Sequence, residues 1–290
     1  MIFWLFLFGL IAGSFLNVVA VRYDPEKFIL SPRVIGGRSR CPHCGRTLSF
    51  FELVPLLSFL AQAGRCRKCR AKISPQYPLM EILCGLVFIF VPYAISKLSY
   101  AFGFHLAPWL FLSLCAVWIL ALLTLLVVAV IDIRLRLIPD EANIFLAVLG
   151  IIFIALKALG AEGVTGGSFV GSYALLFGFQ ENVYVNHGIA LLFGAVFFGF
   201  LIAITRGRGM GMGDLKLATA LGVLFGWPDI VFVVALAFIM GAVVGLGAII
   251  LGKKGMKSFL PFGPFLVAGA ALVFFFGYPI LVAYFKLFPV

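Results

Sequence analysis

The sequence predicts an all-α polytopic membrane protein with about eight transmembrane helices and one cytoplasmic loop domain, and three observations lead there. Of 290 residues, 63% are hydrophobic and only 11% charged, a balance that excludes a soluble globular domain. Apolar runs close to the ~20 residues needed to cross a bilayer core recur along the chain. Lys and Arg, 22 against 11 Asp and Glu, gather in alternate loops.

The expected spans are 1–21, 78–98, 108–131, 143–161, 188–205, 215–227, 229–251 and 261–286. The first is read as a permanent anchor. No positive residue precedes its apolar run, Arg22 follows it, and no small-x-small cleavage site stands out. The sixth, from Asp214 to Trp227, is short; Trp227-Pro228 marks its end, because Pro cannot continue a helix. Positive residues favour cytoplasmic loops. Placing the 22–77 loop inside assigns eleven basic residues to it, with Arg134, Arg136, Arg206, Arg208, Lys216, Lys253, Lys254 and Lys257 also inside. Only Lys97, Lys157 and Lys286 fall outside. Both termini are therefore expected outside. The net charge of +11 then reflects topology and attraction to anionic membrane lipids. A basic loop tethered among headgroups is not expected to take nucleic acid as its partner.

The 22–77 loop is the one stretch large enough for an extramembrane unit. It carries "CPHC" (Cys41, Cys44) and "CRKC" (Cys66, Cys69), separated by 21 residues. Paired C-x-x-C arms at this distance resemble a zinc ribbon, in which each arm gives two thiolates to a tetrahedral Zn2+. The competing reading is two disulfides or a redox pair, which a reducing cytoplasmic location disfavours. Four thiolates leave no open position, so such an ion is structural, and it compensates for a loop with little apolar content. His43 reads as a turn residue. Cys84 and Cys115 fall in apolar spans and read as core.

The eleven acidic residues sort by context. Asp24, Glu26, Glu52, Glu162, Glu181 and Asp229 read as solvated. Asp140 and Glu141 open the fourth span, where a helix N-terminus favours anions, and Glu81 reaches the interface from the second. Asp132 in "VVAVIDIRLRLIPD" and Asp214 in "GMGMGD" interrupt apolar helical sequence at the cytoplasmic membrane edge, which makes them functional candidates. Two carboxylates at one depth that share a proton can polarise a peptide carbonyl and activate water, as aspartic proteases do. Gly209, Gly211 and Gly213 leave open backbone where an extended substrate strand can approach, with Lys216 nearby. Asp214 opens a helix and Asp132 ends one, so the helix ends favour the anion on Asp214, which the Lys216 charge reinforces, and the shared proton on Asp132. Arg134 and Arg136 argue the other way. Three further readings stand beside this one: a flexible hairpin with an interfacial Asp, an ion- or proton-coupled transporter, and a membrane scaffold displaying a zinc ribbon. A transporter places its aspartates near the midplane instead of at one face. A glycine loop for a nucleotide or S-adenosylmethionine is excluded at "GRGMGMGD", since such loops follow a strand and this one follows a membrane span.

These residues resemble the type IV prepilin peptidases, bifunctional leader peptidases and N-methyltransferases, over almost the whole chain. "GSFLNVVAVR" (13–22) is similar to the end of the family's first helix, and "CPHC" with "GRCRKCRAKISPQYPLMEILCG" (64–85) to its cytoplasmic cysteine domain. "IDIRLRLIPD" resembles the segment of its first catalytic aspartate, here Asp132. "GMGD" resembles its G-x-G-D signature, here Asp214, and "PFGPFL" (261–266) its last-helix motif. Presenilin-like proteases share G-x-G-D but pair it with Tyr-Asp, where this chain has Ile131-Asp132, and they lack the cysteines; archaeal preflagellin peptidases also lack the cysteine loop. The resemblance implies a first helix 1–21, a zinc-binding four-cysteine domain 22–77 and a helical protease domain 78–290. It implies an inner-membrane enzyme that cleaves prepilins and pseudopilins after Gly, between a short basic leader and an apolar helix beginning Phe or Met. It also implies methylation of the new N-terminus with S-adenosylmethionine, although no spacing here marks a methyl-donor site. Glu52, Asp140 and Glu141 are the acidic residues expected to receive the basic leader. The outer stretch 162–187 has no counterpart in this reading.

Overall fold

A computed structural model describes residues 2–29, 31–101, 106–159, 168–252 and 260–287, and it divides into two compact units, Met1–Pro92 and Tyr93–Val290. Among the described residues, seven helices are long and apolar enough to cross a membrane. They are α1 (Ile2–Arg22), α4 (Gln76–Ala101), α5 (Pro108–Leu135), α6 (Asp140–Leu159), α7 (Val183–Thr205), α9 (Asp229–Ile250) and α10 (Gly263–Leu287). The chain is an all-helical membrane protein.

In the first unit, α1 meets the start of α4 through glycine. Gly9 and Gly13 lie one turn apart on α1, and a Cβ on either would come within 2.9 Å of α4 backbone atoms at Glu81, Cys84 and Gly85. Lipid gives apolar side chains no reason to leave it, so small residues that allow such close backbone approach hold membrane helices together. The loop between these helices contains two short helices, α2 (Pro32–Ile35) and α3 (Leu57–Ala61), and a 3₁₀ turn at Phe50–Glu52.

In the second unit, α5 opens on Pro108, whose missing N–H costs nothing at a first helical position. The helix ends where Arg136 takes the left-handed conformation, φ 56°. Trp118 of α5 is 1% exposed and meets Phe153 of α6, Phe169, Phe225 and Phe274 of α10, with ring centroids 4.6–5.3 Å apart. Edge-on and tilted rings at these separations add to the apolar burial. Asn182 caps α7 by accepting from the amides of Tyr184 and Val185 at 2.9 and 3.2 Å.

The expected sixth span differs from what forms. Helix α8 covers Met212–Phe225, 14 residues. At about 1.5 Å per residue it is roughly 21 Å long, short of the ~30 Å hydrocarbon core. It packs against α6 and α7 instead of crossing alone. Glycines carry that packing: a Cβ on Gly222 would lie 2.4 Å from the Ala190 carbonyl oxygen, and one on Gly194 2.7 Å from that of Ala218. The other expected spans match, within a turn or two, the helices that form.

The stretch 162–187, expected outside and described from residue 168, packs within this unit. Phe169 enters the Trp118 cluster, Ser168 and the Phe169 amide donate to the Asp229 carboxylate, and a 3₁₀ segment follows at Gly171–Phe177. Asp229, expected in solvent, is 1% exposed; its position at a helix start hid its task of fixing residues sixty positions earlier. Lys157, expected in an outer loop, is buried in the last turn of α6, its ammonium 5.3 Å from the centre of the Phe153 ring. Glu162, Lys253, Lys254 and Lys257 lie outside the described residues.

Gly222→Ala is expected to destabilise the chain by about 1–3 kcal/mol, since the methyl would press on the backbone of Ala190 and Leu191, which no side-chain rotation can relieve. Gly188→Ala, whose Cβ meets nothing within 4 Å, should be neutral or slightly stabilising. Thermal midpoints of the two purified variants in one detergent check the contrast.

Candidate active site and four-cysteine cluster

Asp132 lies in the last turn of α5 and is 5% exposed. Its Oδ2 accepts a hydrogen bond from the backbone N–H of Gly263, the first residue of α10, at 3.0 Å. Glycine is required there, because a Cβ on Gly263 would stand 2.6 Å from the same oxygen. Asp214 lies in the first turn of α8, where its Oδ2 accepts from the Gly211 N–H at 3.1 Å and closes the helix N-terminus. The two carboxylates are near enough to repel each other when both are ionised.

Ile138 separates the two backbones that hold these groups. Its side chain is 3.2 Å from a Cβ built on Gly213 and 3.3 Å from one built on Gly263, and it is itself 7% exposed. Gly213 therefore serves close packing against Ile138. Gly211 is the helix cap, and a Cβ on Gly209 would press on Thr205 at 2.9 Å. Lys216 is placed differently from the expectation that its charge supports Asp214. Its ammonium bonds both oxygens of Asp140 at 2.7 and 2.8 Å, joining the first turns of α8 and α6 at the surface.

The four cysteines come together. Sγ of Cys41, Cys44, Cys66 and Cys69 all lie within 4.8 Å of one another, and Cys41 and Cys69 are 3.9 Å apart. A tetrahedral ion with metal–sulfur bonds of ~2.3 Å sets sulfurs about 3.8 Å apart, so the cluster can hold a metal ion. The two arms share one local geometry. In the first, Gly45 N–H donates to the Cys41 carbonyl and Cys41 N–H to that of Arg46; in the second, Arg70 N–H donates to Cys66 and Cys66 N–H to Ala71. The residue that turns each knuckle, Gly45 or Arg70, has φ near +60° to +67°. Amides of Cys69 and then Lys68 directed at the Cys66 sulfur pull its thiol down to about 6, which favours the thiolate that a metal needs. All four are free thiols, and His43 is an exposed turn residue beside them.

Two acidic residues of the first unit differ from expectation. Glu52 is 6% exposed, closes a capping box with Ser49 and pairs with Arg46; the Ser49 amide holds its carboxyl below the usual range. Glu81 is also buried and accepts the Leu56 amide at 2.7 Å. Of the three acidic residues expected to receive a leader, Glu52 is buried, Asp140 is engaged by Lys216, and Glu141 is partly exposed in the first turn of α6. The sequence reading missed Gly263 and Ile138 as parts of the site. Their signal was present in "PFGPFL" and "LIPD", but only a fold brings them against Asp132 and Gly213.

Residues 7–95 match the Bacterial Peptidase A24 N-terminal domain, and residues 118–246 match the Type IV leader peptidase family. The chain belongs to the type IV leader peptidase family. Asp132 and Asp214 fall in the second matched segment, and the four cysteines in the first. Among its relatives is a protein of Bacillus subtilis (strain 168), 32% identical over 98% of this chain and 97% of the relative. Another, of Aeromonas hydrophila, is 33% identical over 94% and 89%, and one of Burkholderia pseudomallei (strain 1026b) is 32% identical over 93% and 84%. All three are named prepilin leader peptidase/N-methyltransferase. No solved structure matches the chain. Family membership sets aside the transporter and scaffold readings.

Gly263→Ala places a methyl against the Asp132 carboxylate. It is expected to lower peptide-cleavage turnover by about a hundredfold through misplacement alone, while the protein stays monodisperse with little change in helix content. Turnover of a leader-bearing peptide and circular dichroism check the two halves.

Proposed function

We propose that this chain cleaves the short basic leader from type IV prepilins and pseudopilins, after Gly and before Phe or Met, at the cytoplasmic face of the bacterial inner membrane, and then N-methylates the new N-terminus. The observation that supports this most directly is the nearness of two carboxylates, Asp132 from α5 and Asp214 from α8, close enough to repel each other when ionised and each with one oxygen fixed by a backbone amide.

The chemistry follows from that pairing. Asp214, at a helix N-terminus, takes a proton from water as the water oxygen attacks the scissile carbonyl carbon. Asp132 gives the shared proton to the carbonyl oxygen, leaving a neutral tetrahedral diol. Collapse breaks the C–N bond: the proton on Asp214 passes to the leaving amine, and a hydroxyl proton of the diol returns to Asp132. The oxygen of each carboxylate that lacks the amide bond is the one that handles protons. A basic leader fits this topology, because the excess of Lys and Arg on one set of loops supports placing both aspartates and the cysteine loop inside and both termini outside. Glu141 is the acidic residue proposed to face the leader.

Zn2+ is the metal proposed for Cys41, Cys44, Cys66 and Cys69. It would fix the two knuckles of a loop that has little apolar content, and take no part in cleavage. S-adenosylmethionine, when bound, supplies the methyl group for the N-terminal amine. The relatives' names support that second activity.

Asp132→Asn and Asp214→Asn should each lower cleavage by at least about a thousandfold with the fold retained, since a carboxamide cannot exchange the proton. Substantial turnover by either variant in detergent, measured on a synthetic prepilin peptide, counts against the dyad. Purified protein should contain one zinc per chain by elemental analysis. Cys66→Ser should release it and loosen the loop to proteolysis while sparing cleavage more than methylation; a full complement of metal in that variant would remove the site.

A further inference from the structure

We infer that residues 50–60 of the cysteine loop are a membrane-dipping segment, which seats the loop on an anionic lipid surface independently of any peptide substrate. Three observations combine. First, the segment turns its apolar side chains outward: Phe50 is 79% exposed, Phe51 75%, Leu57 65% and Leu60 63%. A short loop in water gains nothing from such a display, and contiguous exposed apolar residues mark a surface that something covers.

Second, the segment is held where a membrane helix begins. The Leu56 amide donates to Glu81 at 2.7 Å, and Glu81 lies in the second turn of α4. Leu56 takes φ 60° and ψ −50°, and Leu57 N–H bonds back to the Pro55 carbonyl at 2.6 Å, a tight turn strained for a non-glycine residue. The buried Glu81 carboxylate therefore holds a strained turn that places Leu57 and Leu60 beside the entry of α4. Entry level is interfacial level, where aromatic side chains sit with their rings among the headgroups.

Third, the charge around the segment suits anionic headgroups. Arg65, Arg67, Lys68, Arg70 and Lys72 are exposed just after it. The loop's three acidic residues are Asp24, Glu26 and Glu52; Asp24 is paired with Lys27, and Glu52 with Arg46. Apolar rings flanked by basic side chains are the pattern of an interfacial segment. The apolar helix of a peptide substrate and a second copy of this chain are the competing occupants. Neither calls for five exposed basic residues, and a leader that is itself basic is repelled by them.

The test uses the full chain in lipid nanodiscs, with the photo-crosslinker p-benzoylphenylalanine at Phe51 in one variant and Leu57 in another. Both positions are exposed, so the probe displaces no packing, and a variant that failed to stay monodisperse would leave the other readable. Without any peptide, irradiation should give phospholipid adducts by mass spectrometry at both positions, severalfold more with phosphatidylglycerol than with phosphatidylcholine alone. Adducts only with added prepilin peptide, or only between two copies of the chain, would overturn the proposal, as would a probe recovered unreacted with no lipid attached. A yield indifferent to phosphatidylglycerol would overturn its electrostatic half. The result is independent of peptidase activity, which is read separately from the same samples.

Discussion

A fourteen-residue helix cannot cross a bilayer, so the depth of α8 has to be set by its neighbours. Asp214 rides on its first turn, and every geometric statement about the carboxylate pair depends on that depth. The sequence supplies a clasp at each end. At its N-terminal end, Gly213 lies against Ile138 and Lys216 is bound to Asp140. At its C-terminal end, His187 Nδ1 donates to the Val223 carbonyl at 2.7 Å, and Asn186 exchanges hydrogen bonds with Trp227 at 2.6 and 3.0 Å. Between them, Gly194 and Gly222 let α7 and α8 touch backbone to backbone. Sliding α8 by one residue would break all of these contacts together. That cooperation fixes the Asp214 carboxylate more firmly than a single exposed ion pair, which is worth little by itself.

The stretch 168–187 belongs to the same constraint. Its backbone and side chains supply Asn186 and His187, and its Phe169 fills the aromatic cluster around Trp118 that also takes Phe225 from the last turn of α8. Asp229 holds the start of that stretch from the next helix. A carboxylate buried there would be costly alone, and the Ser168 hydroxyl and Phe169 amide satisfy it.

What the sequence revealed and what it hid divide along a physical line. Span positions were legible because lipid imposes apolar composition locally, residue by residue, over α1, α4 to α7, α9 and α10. The cysteine spacing was legible because a knuckle is a local object. Asp132 and Asp214 stood out because a carboxylate inside apolar sequence needs a reason. The hidden items are long-range. Asp229 satisfies residues sixty positions away, Glu81 a loop amide twenty-five away, and Gly263 supports a carboxylate 131 positions back. Nothing in the local sequence of Glu52 distinguishes a capping residue from a solvated one. The shortness of α8 was visible in the span ending at Trp227, but not its consequence, because helix length is informative only once the partners that hold the helix are known.

The glycines around the site serve one geometric end. Gly213 and Gly263 come from different helices, yet both present bare backbone to the same Ile138 side chain. A side chain on either would push the two backbones apart or displace Ile138 into the space beside Asp132. Amides at a helix start lack an intrahelical acceptor, and the Gly263 and Gly211 N–H groups, at the starts of α10 and α8, donate to the two carboxylates. Each amide engages the Oδ2 atom of its aspartate. Main-chain donors from two helix starts thus fix one oxygen of each carboxylate, and a side chain at Gly263 would collide with the oxygen that its own amide holds. Lys216 is bound instead to Asp140, where it ties the first turns of α8 and α6 together.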